Sequence, residues 1–143
     1  MTPEQLALVR ASYASLGPDP TAMAEDFYRR LFAIDPSTRA LFTDGPEVMA
    51  VKFVAELDAI VDAISRYDDF RARVADLGAR HAAYGVQTRH YAAVGEALVS
   101  ALAAHLADAW DGAHEAAWRR AFNLVAEVMM SAQQAAASRP ARG

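Results

Sequence analysis

Proline and glycine divide this sequence into segments that have helical length and helical patterning. Thr2-Pro3, Asp19-Pro20 and Asp35-Pro36 each place a residue that can cap a helix before a proline suited to its first turn. Between such breaks, apolar residues recur every three or four positions, which is the period of one buried helical face. No strand or hairpin pattern is present. The sequence therefore predicts an all-α domain.

Six substantial helices and one short helical piece are predicted. They begin at Thr2-Pro3, Asp19-Pro20, Asp35-Pro36 (the short piece, to Leu41-Phe42), Pro46, about Phe70, about Thr88 and about Ala113. The predicted ends include Gly17-Pro18, the break at 66–69, Tyr84 before Gly85 as a cap, Trp110 before Asp111-Gly112, and Ala137. Residues 1–137 are expected to form one domain, and residues 138–143 a short polar tail.

Composition excludes several classes of function. With 143 residues, 54% hydrophobic and 22% charged, the chain fits one globular domain and not a disordered one. A net charge of −4 argues against a nucleic-acid partner. Because there is no cysteine, disulfides, thiolate metal sites and covalent haem attachment are excluded. The N-terminus has no signal-peptide pattern and charges interrupt the apolar stretches, so we expect a cytoplasmic protein without a membrane span.

Few residues carry a recognisable chemical pattern. The acidic residues lie mostly at helix starts and on polar faces, and no phosphate loop, zinc-protease or calcium-loop motif is present. His81 differs, because it shares a predicted apolar face with Val74 and Leu77. Taken alone, an inward histidine is either an ordinary core residue or a metal ligand.

Other residues along the sequence distinguish these two alternatives for His81. Tyr28, Phe42, Phe53, His81 and Tyr91 occur in an ordered series, with His81 28 residues after Phe53 and Tyr91 ten residues later. Together with the segments FYRRLFAIDPSTRALF, LGARHAAYGVQTRHYAAVGEALVSAL and DGAHEAAWRRAF, this series resembles a globin over nearly the full length. It is most similar to the globin domains of flavohaemoglobins, to single-domain bacterial haemoglobins and to neuroglobins.

The resemblance implies a globin fold and a noncovalent b-type haem whose iron is bound by His81. It also implies that Phe42 packs on the haem plane, and that the Tyr28 hydroxyl donates a hydrogen bond to bound dioxygen. A Tyr28 side chain that points to water is the alternative.

Met49 departs from the usual globin pattern. It occupies the position, four residues before Phe53, where many globins have a distal histidine or glutamine. A thioether donates no hydrogen bond, so Met49 cannot stabilise bound oxygen in that way. Methionine can ligate haem iron, but a core or pocket-gating role is the favoured interpretation. Phe53 and Leu57 are expected to line the same side of the haem.

On the histidine side, Tyr91 matches a tyrosine that, in flavohaemoglobins, joins a glutamate near the iron ligand and tunes its basicity. Gln133 stands at the position of that glutamate, so strong electron donation for oxygen activation is in doubt. Val86 and Val94 are implied to contact the haem. Lys52 and Arg80 are candidates to pair with its propionates, although a solvated position is an equal alternative for each.

The resulting functional prediction is reversible binding of dioxygen, with CO and NO as further ligands, by a five-coordinate ferrous haem. The alternative is an enzyme, nitric oxide dioxygenase, which converts NO and dioxygen to nitrate and needs re-reduction. Because no nucleotide-binding glycine motif is present, the reductase is expected to be a separate protein. A haem-based sensor, or a globin that has lost haem, is a third class. The chain is expected to be a monomer or homodimer, and His90, His105 and His114 are predicted at the surface or at helix ends.

Overall fold

A computed structural model describes residues 1–83 and 87–137 of the chain. Within these ranges the backbone is helical and contains no strand, as predicted. The six α-helices are α1 (Pro3–Ser15), α2 (Thr21–Ile34), α3 (Pro46–Ala63), α4 (Tyr67–Ala83), α5 (His90–Leu106) and α6 (Gly112–Ala137), and two 3₁₀ helices span Pro36–Leu41 and Ala107–Ala109. The predicted boundary at Tyr84-Gly85 and the predicted tail at 138–143 lie outside the described residues.

Several helix boundaries follow directly from local side-chain chemistry. At α1, Thr2 and Gln5 form the predicted capping box through two reciprocal hydrogen bonds of 3.1 Å. Helix α4 starts three residues earlier than predicted, because the break is only a tight turn after Ala63. Arg66 fixes this turn by binding the carboxylates of Asp62 in α3 and Asp69 in α4.

Helix α5 is shorter than the predicted segment. It begins at His90 and not at Thr88, and it ends at Leu106, where Ala107 adopts the positive φ of 48°. That backbone conformation is unusual for a residue other than glycine and stops the helix before the 3₁₀ turn. The sequence offered no glycine or proline there, so this end could not be predicted from them.

The centre of the core is α5, which contacts both α2 and α6. Ala97, Ala101 and Leu102 are fully buried. The segment His90–Ala109 is long and apolar enough to cross a membrane by length and composition alone, although Glu96 and Asp108 interrupt its apolar run. A helix that is apolar on most of its faces is also typical of a core position, and α5 occupies one here.

The outer helices are tied to this core by specific contacts. Trp118 of α6 donates its indole N–H to the hydroxyl of Ser12 in α1 at 2.9 Å, inside the core. Helices α4 and α6 cross at Gly78, where an added Cβ would lie 2.6 Å from the carbonyl oxygen of Met129. Only a residue without a side chain permits this approach. These contacts leave a cavity between α2, α3, α4, α5 and α6.

Candidate functional site

The cavity has a volume of about 570 Å³ and a mostly apolar lining. Its size is in the range of small-molecule and cofactor sites. Nine of the residues predicted from the sequence line it: Tyr28, Phe42, Met49, Lys52, Phe53, Leu57, His81, Tyr91 and Val94. Arg80 does not line it, and Val86 lies outside the described residues. The fold thus brings most of the predicted site to one place.

One side of the cavity, the histidine wall, consists of Leu77, His81, Tyr91 and Met129 from α4, α5 and α6. Nδ1 of His81 lies 2.8 Å from the carbonyl oxygen of Leu77, one turn earlier in α4. A carbonyl only accepts, so Nδ1 carries the proton and Nε2 retains its lone pair. Burial lowers the pKa of His81, which favours the neutral imidazole. The side chain is therefore suited to bind a metal ion through Nε2.

Tyr91 is held by the residue that replaces the expected glutamate. Its hydroxyl donates a hydrogen bond of 2.6 Å to Oε1 of Gln133 in α6. Burial raises the pKa of Tyr91 to about 12, so the phenol is protonated at neutral pH and acts as the donor. The acceptor is a neutral amide, which adds no negative charge to the histidine wall.

The other side, the aromatic wall, consists of Phe27, Tyr28, Phe42 and Phe53. Phe27 and Phe53 stack with their ring centroids 4.4 Å apart. The Tyr28 ring contacts Phe27, Phe42 and Phe53 in edge-to-face geometry at 5.0, 5.2 and 5.8 Å. Such geometry is favourable for aromatic pairs, and here it fixes the Tyr28 ring from three directions.

The Tyr28 hydroxyl has no hydrogen-bond partner among residues 1–83 and 87–137. Burial raises the pKa of Tyr28 to about 12, so the hydroxyl remains protonated at neutral pH. A buried hydroxyl without a protein partner costs free energy unless something else accepts its hydrogen bond. In the lining of the cavity, Tyr28 therefore presents a hydroxyl donor that has no acceptor among the described residues.

Met49 and Leu57 complete this side of the cavity from α3. Met49 is buried and lines the cavity, as does Leu57 two turns later. Both side chains are apolar, and neither donates a hydrogen bond. Tyr28 is thus the hydrogen-bond donor on the part of the cavity formed by α2 and α3, apart from the charged rim.

Two ion pairs lie at or near the rim. Lys52 binds Asp44 at 2.7 Å, and both residues line the cavity. Arg80, on the outer side of α4, binds Oε1 of Glu56 at 3.2 Å and also Asp76. Arg80 was predicted as a partner of the haem propionates or as a solvated residue, and here it pairs with Glu56, which itself lines the cavity. Oε2 of Glu56 is buried without a partner in the described part of the chain.

His90 was predicted at the surface or at a helix end, and only the second half is correct. It is the first residue of α5, but it is 3% exposed and lines the cavity. Nδ1 of His90 accepts a hydrogen bond of 2.9 Å from the backbone N–H of Gln87. The two histidines of the cavity therefore have opposite tautomers.

A sequence profile of the globin family matches residues 25–129. The chain belongs to the globin family. It is 30% identical to neuroglobin from Danio rerio over 136 residues, an alignment that covers 85% of this chain and 86% of that protein. It is 25% identical to a flavohemoprotein from Vibrio cholerae over 138 residues, which covers 94% of this chain and 35% of the flavohemoprotein.

The fold of this globin is also similar to solved structures. A crystal structure of a hexacoordinated heme protein from an anhydrobiotic tardigrade superposes with a TM-score of 0.83. The match covers 94% of this chain and 96% of the other at 18% sequence identity. Together with the family match, this similarity confirms the predicted all-α globin fold.

Sequence reasoning missed several polar residues that line the cavity, among them Thr38, Glu56 and His90. For His90, the sequence did contain a feature that indicates burial. Helix α5 is apolar on most of its faces, so even its first turn is expected to be enclosed. Glu56 carried no such signal, because a charged residue on a long helix is usually solvated. Its burial depends on how α4 packs beside α3, which is a tertiary property.

Proposed function

We propose that this globin holds a b-type haem noncovalently in the cavity and binds dioxygen reversibly, with CO and NO as further ligands. One observation carries the proposal: a metal-binding nitrogen of His81 and an unspent hydroxyl donor of Tyr28 line the same apolar cavity. Family membership supports the proposal, as does the relationship to neuroglobins and flavohemoproteins.

The residues present fit a haem. The apolar lining suits a flat macrocycle, and the aromatic wall offers Phe42 and Phe53 for packing against it. Lys52 at the rim offers a cation to an acidic substituent, provided that it exchanges Asp44 for the new partner. Because the chain has no cysteine, no thioether link to the macrocycle can form.

Each side of the cavity would contribute a different function. His81, neutral and oriented by Leu77, would hold the iron through Nε2. When bound, the haem supplies an iron centre that binds diatomic gases. Tyr28 would donate a hydrogen bond to a polar ligand, and Met49 would exclude water without donating. No imidazole stands at the Met49 position, so we propose a five-coordinate ferrous state.

Reversible binding is favoured over oxygen activation by the Tyr91–Gln133 pair. A glutamate at position 133 would place a negative charge behind His81 and increase its basicity, whereas the amide present is neutral. The second candidate is nitric oxide dioxygenase, which is supported by the 25–28% identity to flavohemoproteins over 138 residues. That activity would depend on a reductase, which we propose to be a separate protein.

The test is a set of visible spectra of the purified protein in ferric, dithionite-reduced and CO forms, recorded beside His81→Ala and His114→Ala. His114 lies outside the cavity and serves as the control. We expect a Soret band with a five-coordinate ferrous spectrum and a shift with CO, lost or much weakened only in His81→Ala. A haem-supplemented wild type without a Soret band would overturn the proposal.

The two candidate functions are separated by adding NO to the oxygenated form. Slow oxidation and slow oxygen release would support storage or delivery. Rapid NO-dependent decay, repeated over many cycles with a cellular reductase fraction, would instead support the dioxygenase.

A further inference from the structure

His90 stands apart from the other histidines of the chain because it lines the cavity and no chemistry has been assigned to it. It is the first residue of α5 and is 3% exposed. A buried polar side chain normally has partners for its nitrogen atoms. In His90 only Nδ1 has one in the described part of the chain, the backbone N–H of Gln87 at 2.9 Å.

The contact with Gln87 fixes the tautomer. A backbone N–H only donates, so Nδ1 must be the accepting nitrogen. The proton of the neutral ring is therefore on Nε2, which becomes a hydrogen-bond donor. His81 has the opposite arrangement, with Nδ1 donating to Leu77. His90 is thus unsuited to bind iron through Nε2 but suited to donate to an acceptor.

The Nε2 donor is not sealed inside protein. Among the described residues, Oε2 of Glu56 is the one fully enclosed side-chain nitrogen or oxygen without a partner. Nε2 of His90 also lacks a partner among the described residues, but it is not fully enclosed by protein. It therefore borders open space. His90 is otherwise buried and lines the cavity, so the cavity is the open space from which a ligand can reach it.

Neighbouring acids do not take up this donor. Asp35 lies near Arg89 and His90, but among the described residues its carboxylate accepts hydrogen bonds from the hydroxyl and backbone N–H of Ser37 and not from His90. Thr38, beside it in the cavity lining, donates to the carbonyl of Asp35. Among the described residues, neither Asp35 nor Thr38 therefore accepts the Nε2–H of His90, which remains available for a ligand.

The other nitrogen-bearing side chains that line the cavity have different roles. Trp118 donates its N–H to Ser12, and His81 donates Nδ1–H to Leu77. Lys52 lies at the rim, where it binds Asp44. A haem carries two carboxylates, and Lys52 can neutralise only one of them.

We infer that His90 donates a hydrogen bond from Nε2 to a carboxylate of the tetrapyrrole and so determines how tightly the acidic form of the cofactor is held. The inference rests on the proposed function, because it requires a tetrapyrrole in the cavity. It assigns His90 a binding role that is separate from iron ligation by His81. A hydrogen bond to a charged acceptor corresponds to about 10- to 100-fold in affinity.

The experiment uses metal-free protoporphyrin IX and its dimethyl ester as probes, titrated into the haem-free full-length protein by fluorescence. Without iron, coordination by His81 contributes nothing to affinity. The variants are His90→Phe, His90→Gln and His90→Asn, with His114→Gln as the control outside the cavity. Far-ultraviolet circular dichroism verifies that each variant retains its helices.

Two of the variants separate binding from a structural role. Glutamine extends an N–H donor to about the position of Nε2, whereas asparagine reproduces only the acceptor near Nδ1. We expect His90→Phe and His90→Asn to weaken the diacid about 10- to 100-fold and to leave the ester nearly unchanged. His90→Gln recovers most of the loss, and His114→Gln changes neither probe.

Three results would overturn the inference. Equal losses for diacid and ester would mean that His90 acts through packing, and recovery by asparagine but not by glutamine would mean that it acts through Gln87. Unchanged diacid binding in His90→Phe would show that no such bond forms. If wild-type protein binds neither these probes nor haem, the proposed function fails as well, which is a result distinct from the other three; if it binds haem but neither probe, only the inference about His90 fails.

Discussion

The two walls of the cavity are built by different physical means. The aromatic wall is held by ring contacts of 4.4 to 5.8 Å among Phe27, Tyr28, Phe42 and Phe53. The histidine wall is held by directed hydrogen bonds, from His81 to Leu77 and from Tyr91 to Gln133, and by the close crossing of α4 and α6.

This difference matches what each wall is proposed to do. A hydrogen bond fixes the direction of a ring nitrogen, which a metal ligand requires. Ring packing fixes a side chain but leaves its polar end available for a hydrogen bond. A donor that stabilises a bound ligand needs this availability. Tyr28 therefore remains available because its position depends on packing and not on a hydrogen bond of its hydroxyl.

The largest effect on stability is expected from Gly78→Ala in the histidine wall. The new Cβ would lie 2.6 Å from the carbonyl oxygen and 2.7 Å from the Cα of Met129, both backbone atoms that cannot rotate away. Helices α4 and α6 must separate, which costs about 2–3 kcal/mol of unfolding free energy, measured in urea. Gly112→Ala is the control, since nothing lies within 4 Å of its Cβ. Equal stability of the two variants would contradict the close crossing.

In the aromatic wall, Tyr28→Phe is expected to separate binding from stability. Its hydroxyl has no partner in the described part of the chain, so its removal leaves nothing unpaired and changes the unfolding free energy by less than about 0.5 kcal/mol. If Tyr28 stabilises dioxygen in the haem-loaded protein, oxygen dissociates about 10- to 100-fold faster, measured by stopped-flow replacement with CO. Tyr67→Phe, at an exposed tyrosine, is the control. An unchanged dissociation rate rules out the proposed role of Tyr28.

The Tyr91–Gln133 bond is expected to contribute about 1 kcal/mol to the histidine wall. A double-mutant cycle with Tyr91→Phe and Gln133→Leu measures this coupling by urea unfolding. Each single variant removes one side of this hydrogen bond, whereas the double variant removes both sides. The loss of unfolding free energy in the double variant is therefore expected to be smaller than the sum of the two single losses. Additive losses would show that the 2.6 Å contact contributes nothing.

The smallest effect is expected between the walls, from Glu56→Gln. The substitution weakens an ion pair with the half-exposed Arg80, which contributes little in solvent. It also removes the charge next to the unpartnered Oε2, which is favourable. These two effects oppose each other, so the unfolding free energy changes by less than about 0.5 kcal/mol. Asp76→Asn, at the other carboxylate that Arg80 binds, is the control. A loss above 1 kcal/mol would mean that Glu56 has a further partner.

Much of the fold and of the site could be predicted because their determinants are local. The capping box of Thr2 and Gln5 and the apolar period of α3 are visible in the chain itself. The series from Tyr28 to Tyr91 carried the resemblance to globins, and nine of the residues predicted with that resemblance line the cavity. Gln133 was placed near Tyr91 by the same counting, and the two are bonded.

Other features depended on contacts between distant parts of the chain. Residue spacing along the chain gave no sign that Arg80 of α4 pairs with Glu56 of α3. His90 was predicted at the surface or at a helix end; it is at the start of α5, and the packing of that helix also buries it. Gly78 gave no sign in the sequence that Met129 approaches it so closely. The sequence by itself determined that the chain forms these helices and resembles a globin, because these features follow from local period and from motifs along the chain. Only the tertiary structure decided which polar groups are paired and which are left for a ligand, because a hydrogen bond depends on distances that no single helix sets.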